Sequence, residues 1–352
     1  MISMRKLWKS GFGLDRFSGI ALFALFIIVF GIVEPSTFLT MATVHSIAAE
    51  ESVVAIVALA VTLSLSTGSY DLSVGAVAGL SGITAVVLQT NWHWSMAAAL
   101  IASVGIALLV GLVNSFVVVG LRIDSFIATL GMGSILAAFE TIVTGSQQPV
   151  PVASATWGKL TQVNVFGFQA IIVYALVLAL VGWWFLECTP AGRQMYATGG
   201  NRDSARLSGV RVDLWTTVSL VCCAGLAGIA GILFTSQNGP SVTFGPTLLL
   251  PAFAAAFLGS TQLRPGRFNV WGTVLSIFVL ATGVEGLQLL SGQEWLSDMF
   301  NGVALIAAVG LAVSRSDAGK GRRWLSRWRP APPAATDAAT KGQQDQPVVK
   351  SL

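Results

Sequence analysis

Residues 52–82 read SVVAIVALAVTLSLSTGSYDLSVGAVAGLSG, two long apolar runs around a short polar turn at 67–75, TGSYDLSVG. The runs are continuous rather than alternating, which argues against the strands of a membrane barrel and for helices. Between them stands Asp71, framed by small and hydroxylated residues. A carboxylate inside a bilayer is costly, so either the turn lies near a membrane face or the residue has a job there.

The rest of the chain sets the scale. Of 352 residues, 54% are hydrophobic and only 10% are charged, against about 25% charged in a soluble domain. Mean hydropathy is +0.75. The 37 glycines fit tightly approaching membrane helices. The net charge of +4 comes from basic segments outside the apolar runs and says little about nucleic acid, which is not expected as a partner. Cys188, Cys222 and Cys223, with His45 and His93, show neither disulfide nor metal spacing. No metal or cofactor is expected on this chain.

Ten apolar segments can be marked, at 17–33, 47–66, 74–90, 95–120, 126–144, 166–186, 214–235, 247–261, 270–290 and 295–313. Most reach the roughly 20 residues needed to span. The eighth is short and contains Pro251, which predicts a broken or half helix. The first follows a basic leader, MISMRKLWKSGFGLDR, but no small-residue cleavage pattern follows it, so it reads as a retained membrane helix. With residues 1–16 in the cytoplasm and ten spans threaded, every Lys and Arg except Lys159 falls on the cytoplasmic side. The expectation is an all-α polytopic membrane protein of about ten transmembrane helices. Both termini are cytoplasmic, the transmembrane domain covers 17–313, and a disordered tail covers 314–352. Trp92, Trp94, Trp183, Trp184, Trp215, Trp271 and Trp295 lie near predicted span ends, as interfacial anchors do. The longest external loop is 145–165, and the longest internal one between spans is 187–213.

The internal loop carries most of the chemistry. Pro190 can open a helix, Gly199-Gly200 breaks it, Asn201 can cap a second short helix, and Gly209 stops that one. A short basic helical segment on the cytoplasmic face suits docking into a groove of a partner, or contact with acidic lipid headgroups. No phosphate-binding GxxxxGK[ST] loop occurs; Gly158-Lys159 and Gly319-Lys320 lack its context. AGLAGIAG at 224–231 lies within a span and reads as a helix-packing face, as do Ala107, Gly111 and Ser115. Asn114, Glu285, Gln288 and Asn301 are candidates for a polar translocation path. Glu50, Glu51 and Glu140 lie nearer span ends and read as interfacial or structural. No nucleophile–base set is evident, so no catalytic residue is assigned and an intramembrane enzyme is not expected.

The chain resembles the permease subunit of bacterial ABC importers for simple sugars, the ribose/arabinose/xylose type. The resemblance spans about residues 35–313 and rests on the 52–82 stretch, FIATLG at 126–131, GRQMYATGGNRDSARLSGV at 192–210, AGLAGIAGIL at 224–233 and AAFLGSTQLRPGRFNVWGT at 255–273. It implies a paired permease subunit, a cytosolic ATPase, an external sugar-binding protein and a place in the bacterial inner membrane. It further implies that 187–213 couples to the ATPase through Gly192, Arg193, Tyr196, Ala197, Gly199, Gly200, Asn201, Ala205, Arg206, Leu207, Ser208 and Gly209, with Asp71, Ser73 and Gly75 as a family motif. Three places depart from the family pattern. Tyr70 stands before Asp71 where isoleucine is usual; Arg202-Asp203-Ser204 replaces Glu-Ala-Ala; and RPGRFN at 264–269 replaces a glycine-rich loop. Cargoes of related permeases, nucleosides and branched-chain amino acids, remain alternatives, as does an ion-coupled secondary transporter using Asp71 or Glu285. The scarcity of charge that could face a zwitterion favours a neutral sugar or polyol. Threading places Asp71 at the cytoplasmic end of the turn, where it or Ser73 can cap the following helix.

Overall fold

The computed structural model describes residues 18–165, 167–293 and 295–327, with side chains through 312. Apolar helices occupy all ten expected segments. They are α1 (Ser18–Val33), α2 (Met41–Ser66), α3 (Val74–Thr90), α4 (Met96–Ser115), α5 (Ser125–Thr144), α7 (Ala170–Trp183), α10 (Val212–Asn238), α11 (Phe244–Thr261), α12 (Val270–Ser291) and α13 (Trp295–Arg327). Eight are long and apolar enough to cross a membrane once the π-turns extending α4 to Gly120 and α7 to Cys188 are included; α1 and α3 are shorter. Three further helices are short: α6 (Ala155–Gln162), α8 (Pro190–Gly200) and α9 (Arg202–Leu207). A two-residue hairpin pairs Asn164–Val165 with Phe168–Gln169. The protein is an all-α polytopic membrane protein.

Helix α10 is the hub and packs on α2, α3 and α4. Lipid gives helices no hydrophobic reason to associate, so close backbone approach and hydrogen bonds must hold them. The glycines expected as a packing face do this. A β-carbon on Gly231 would fall on the Ala78 carbonyl of α3, and one on Gly228 would come 2.5 Å from Ala107 of α4. One on Gly111 would meet Val221 Cα at 2.8 Å. Hydroxyl pairs stitch α10 to its neighbours, Thr67–Ser219 at 2.8 Å and Ser115–Thr217 at 2.7 Å, and Thr62–Thr273 at 3.0 Å ties α2 to α12. Gly231→Leu is therefore expected to separate α10 from α3, with the cost of overpacking, about 1–3 kcal/mol or more. Fluorescence-detected size exclusion in detergent should show loss of the monodisperse peak.

One expectation needs correction. Pro251 does not break its helix; α11 runs unbroken from Phe244 to Thr261 with Pro251 inside it, because in a bundle neighbouring elements can compensate the freed carbonyl. The span in α13 ends at Ala312, and the helix itself runs on to Arg327: SRSDAGKGRRWLSR holds no proline to stop it. The basic leader 1–16 and the Pro/Ala stretch from 329 lie outside the described residues. The loop 145–165 is partly ordered: Trp157 of α6 donates its indole N–H to the Thr235 carbonyl at 3.4 Å and accepts from the Ser236 hydroxyl at 2.7 Å.

Candidate functional site

Segment 187–213 is built as expected, with one shift. The Thr189 hydroxyl caps α8 by accepting the Gly192 N–H, and Pro190 takes the first turn. The glycine pair does not end α8; both residues lie inside its last turn, and the break falls on Asn201. Asn201 is extended (φ −159°), and its Oδ1 accepts the Ser204 N–H at 2.9 Å to start α9. Helix α9 ends on Gly209 at φ +82°, where the Val210 N–H reaches back to the Ala205 carbonyl, a left-handed stop that glycine alone adopts cheaply.

The two glycines have different work. A β-carbon on Gly199 would run into the Ser66 carbonyl and sit 3.0 Å from the Gly68 nitrogen, so α8 lies directly on the turn that leads to Asp71. Gly68 itself needs its freedom there, at φ +74°. Around Gly200 a β-carbon would find open space. Gly192 is pressed on the Leu186 backbone, and Met195 and Ala205 are buried. Leu207, by contrast, is 90% exposed, beside an exposed Arg206–Asp213 ion pair at 3.2 Å. The segment thus has one face clamped to the bundle and one face bare.

The three departures from the family pattern converge on this clamp. Arg202 donates to the Ser69 hydroxyl at 3.1 Å and to Thr216 at 3.4 Å. Arg264 pairs with Glu187 at the segment's start. The Arg267 guanidinium stacks 3.5 Å from the Tyr196 ring centroid, and the Tyr196 hydroxyl donates to the Phe268 carbonyl at 2.7 Å. Burial pushes the Tyr196 phenol above its ordinary range, and Arg267 opposes that. Tyr70, Arg193, Tyr196, Gly200 and Arg267 line one pocket of about 580 Å³ between α8, the 66–70 turn and the 266–268 loop. Sequence reading registered each substitution singly; nothing in one sequence showed that they touch the same segment.

The Asp71 turn lies beneath it. Asp71 and Ser73 are fully buried. One carboxylate oxygen accepts the Ser73 N–H at 3.0 Å and its hydroxyl at 2.6 Å, and the Asn114 amide donates to that hydroxyl at 2.8 Å. Ser73 occupies the cap position of α3 without a side-chain bond to the helix, so Asp71 holds the lead-in residue rather than the free helical amides. Gly75 lies where α3 crosses α11, its carbonyl 2.5 Å from the position of a β-carbon on Gly245. Asp71→Asn keeps an acceptor for both Ser73 bonds, so assembly and the melting midpoint should stay close to wild type. Asp71→Leu leaves the Ser73 backbone N–H and the Ser73 hydroxyl hydrogen, both buried, without an acceptor, about 1–3 kcal/mol each, and should lower the midpoint clearly. Full assembly of Asp71→Asn with loss of transport would instead give Asp71 a direct part in the path.

The four residues read as a polar path do not form one group. Asn114 belongs to the Asp71 turn. Glu285, Gln288 and Asn301 line a separate cavity of about 230 Å³ with Glu50, Glu51 and Pro251, where Gln288 donates to Ser297. The position of Glu50 and Glu51 opposite Glu285 is a tertiary fact that helix periodicity does not reveal.

A multi-helix membrane bundle carrying a clamped, half-bare helical segment between α7 and α10 defines the class: an all-α polytopic membrane protein. Residues 43–309 match the family described as branched-chain amino acid transport system / permease component, and the chain belongs to it. It is 28% identical over 298 residues to the D-allose transport system permease protein AlsC of Escherichia coli (strain K12), covering 84% of this chain and 91% of that one. It is 30% identical over 320 residues to the autoinducer 2 import system permease protein LsrC of Salmonella typhimurium (strain LT2), covering 88% and 90%. Over 296 residues it is 30% identical to LsrC of Yersinia pseudotuberculosis serotype O:1b, covering 82% of each chain. The chain is thus a permease component of a membrane transport system.

Proposed function

We propose that the chain pairs with a second permease subunit in the bacterial inner membrane. It passes a neutral sugar or polyol inward, delivered by an external binding protein and driven by a cytosolic ABC ATPase. Segment 187–213 is the lever. ATP-driven closure of the ATPase pair moves α9, α8 passes the motion to the 66–70 turn through Gly199 and Arg202, and α2 and α3 change their packing. The observation that supports this most is the two-faced segment: Gly199 seated on Ser66 and Gly68, with Leu207 left bare. A sugar cargo is supported by the relatives named for D-allose and autoinducer 2 import, although the family description names branched-chain amino acids.

A cysteine at position 207, joined to neighbours by a short thiol–amine cross-linker in native membranes, tests the lever. The expected product is a covalent adduct with a nucleotide-binding subunit, identified by mass spectrometry. Adducts with lipid amines only would return the segment to a headgroup-contacting role.

A further inference from the structure

We propose that the groove between α3 and α5 is a water-filled cargo path in which the Glu140 carboxyl group receives hydroxyl-bearing neutral molecules and turns anions away. The proposal rests on the permease reading and adds a selectivity residue to it. The groove holds about 540 Å³ and is walled by Gly75 and Ala76 of α3, by Gly133, Ala137, Glu140 and Thr144 of α5, and by the start of α11. Small side chains alone would make it a packing face for another helix. Glu140 makes that insufficient. It is only 6% exposed, and its Oε1 is buried with no hydrogen-bond partner. The carboxyl group stands over Gly79, where a β-carbon would lie 3.1 Å from Oε2 and 3.3 Å from Oε1, so the absent side chain is what gives it room.

No cation answers it among the described residues. The ion pairs there are Arg206–Asp213 and Arg264–Glu187, both on the coupling segment. An ionised carboxylate accepts hydrogen bonds and donates none, and left dry inside a membrane it is strongly unfavourable. Water or cargo hydroxyls in the groove supply the missing donors. A sugar or polyol does so with several hydroxyls; a phosphate or carboxylate cargo brings like charge instead. The other hydroxyls on this face are suited to the same chemistry. Those of Thr141 and Thr144 donate to their own helix backbone, which leaves their oxygens free to accept from a cargo. The opposite side of α5 is apolar, exposing Ile127, Ile135, Phe139 and Ile142, the last three along a separate cavity shared with α3 and α4.

The test needs no knowledge of the cargo. Ala137→Cys and Thr144→Cys are each placed in a background with Cys188 and Cys222 replaced, Cys223 being fully buried. The assembled complex, in membrane vesicles, is treated with a cationic methanethiosulfonate (trimethylammonium-ethyl) and an anionic one (sulfonatoethyl). Both positions should react, with a cationic-to-anionic rate ratio at least fivefold above that of a free thiol in solution. Adding E140Q should bring the ratio within twofold of the free thiol. Lack of reaction with either reagent, as for a groove filled by an acyl chain, overturns the proposal. So does a ratio that E140Q leaves unchanged. ATP dependence of uptake by the same vesicles reports the permease reading separately: labelling as expected with uptake indifferent to ATP would remove that reading and leave the groove standing.

Discussion

Gly199→Leu is expected to abolish ATP-driven uptake, by a hundredfold or more, and to lower the melting midpoint of the detergent-solubilised chain by about 3–10 °C, the range that overpacking of about 1–3 kcal/mol implies. The obstacle is backbone. The new side chain meets the Ser66 carbonyl and the Gly68 nitrogen, and neither can rotate aside as a side chain could. Relief comes only by lifting α8 off the turn. That movement breaks the Arg202–Ser69 bond and strains the Tyr196–Phe268 bond, two of the links that join the segment to the 66–70 turn and the 264–268 loop. Uptake and thermal midpoint, measured on the same preparation, check both halves of the expectation. Wild-type uptake from Gly199→Leu would mean the clamp transmits nothing.

Gly200→Trp and Leu207→Asp should do the opposite: leave the chain as stable as wild type and disconnect it from its ATPase. Nothing lies within 4 Å of a β-carbon on Gly200, and Leu207 is 90% exposed. Neither change disturbs the bundle. An apolar anchor at an interface centre contributes about 2 kcal/mol, roughly thirtyfold in affinity. Co-purification of the ATPase should fall by that order while the melting midpoint stays put. The adjacent glycines thus separate two roles: Gly199 seats the clamp and Gly200 faces open space. A fall in the midpoint of Leu207→Asp would contradict the bare-face reading.

Most of the architecture could be read from pattern because a membrane leaves few choices. Backbone groups must be satisfied within each segment, so continuous apolar runs become helices, and all ten runs did. Glycine spacing on α10 likewise marked a packing face, since only small residues allow close approach; that α3 and α4 meet it is a structural finding. Local chemistry carried further: Pro190, Asn201 and Gly209 act as start, cap and stop. Where the reading slipped, distant neighbours decided. Gly199 and Gly200 look like a helix break, yet packing of α8 on the 66–68 turn keeps them helical. Pro251 looks like a break and is tolerated. The candidate path dispersed for the same reason: Asn114 is bound to a serine 41 positions away, and Glu285 faces Glu50 and Glu51 across a cavity. Glu140, read as interfacial or structural, lines a groove whose other wall is supplied by α3. One sequence contains the residues of these sites but not their adjacency.

The central claim is that this permease moves its cargo with energy from ATP on another chain. The most direct measurement is uptake of radiolabelled sugar into proteoliposomes holding the permease, its ATPase and the loaded binding protein, with ATP enclosed on the ATPase side. D-Allose and the sugar bound by the cognate binding protein serve as cargo. Uptake that requires ATP, is lost in Leu207→Asp and is unaffected by collapsing proton and sodium gradients is the predicted result. Uptake that proceeds without ATP and follows an ion gradient would contradict the account and make the chain a secondary transporter.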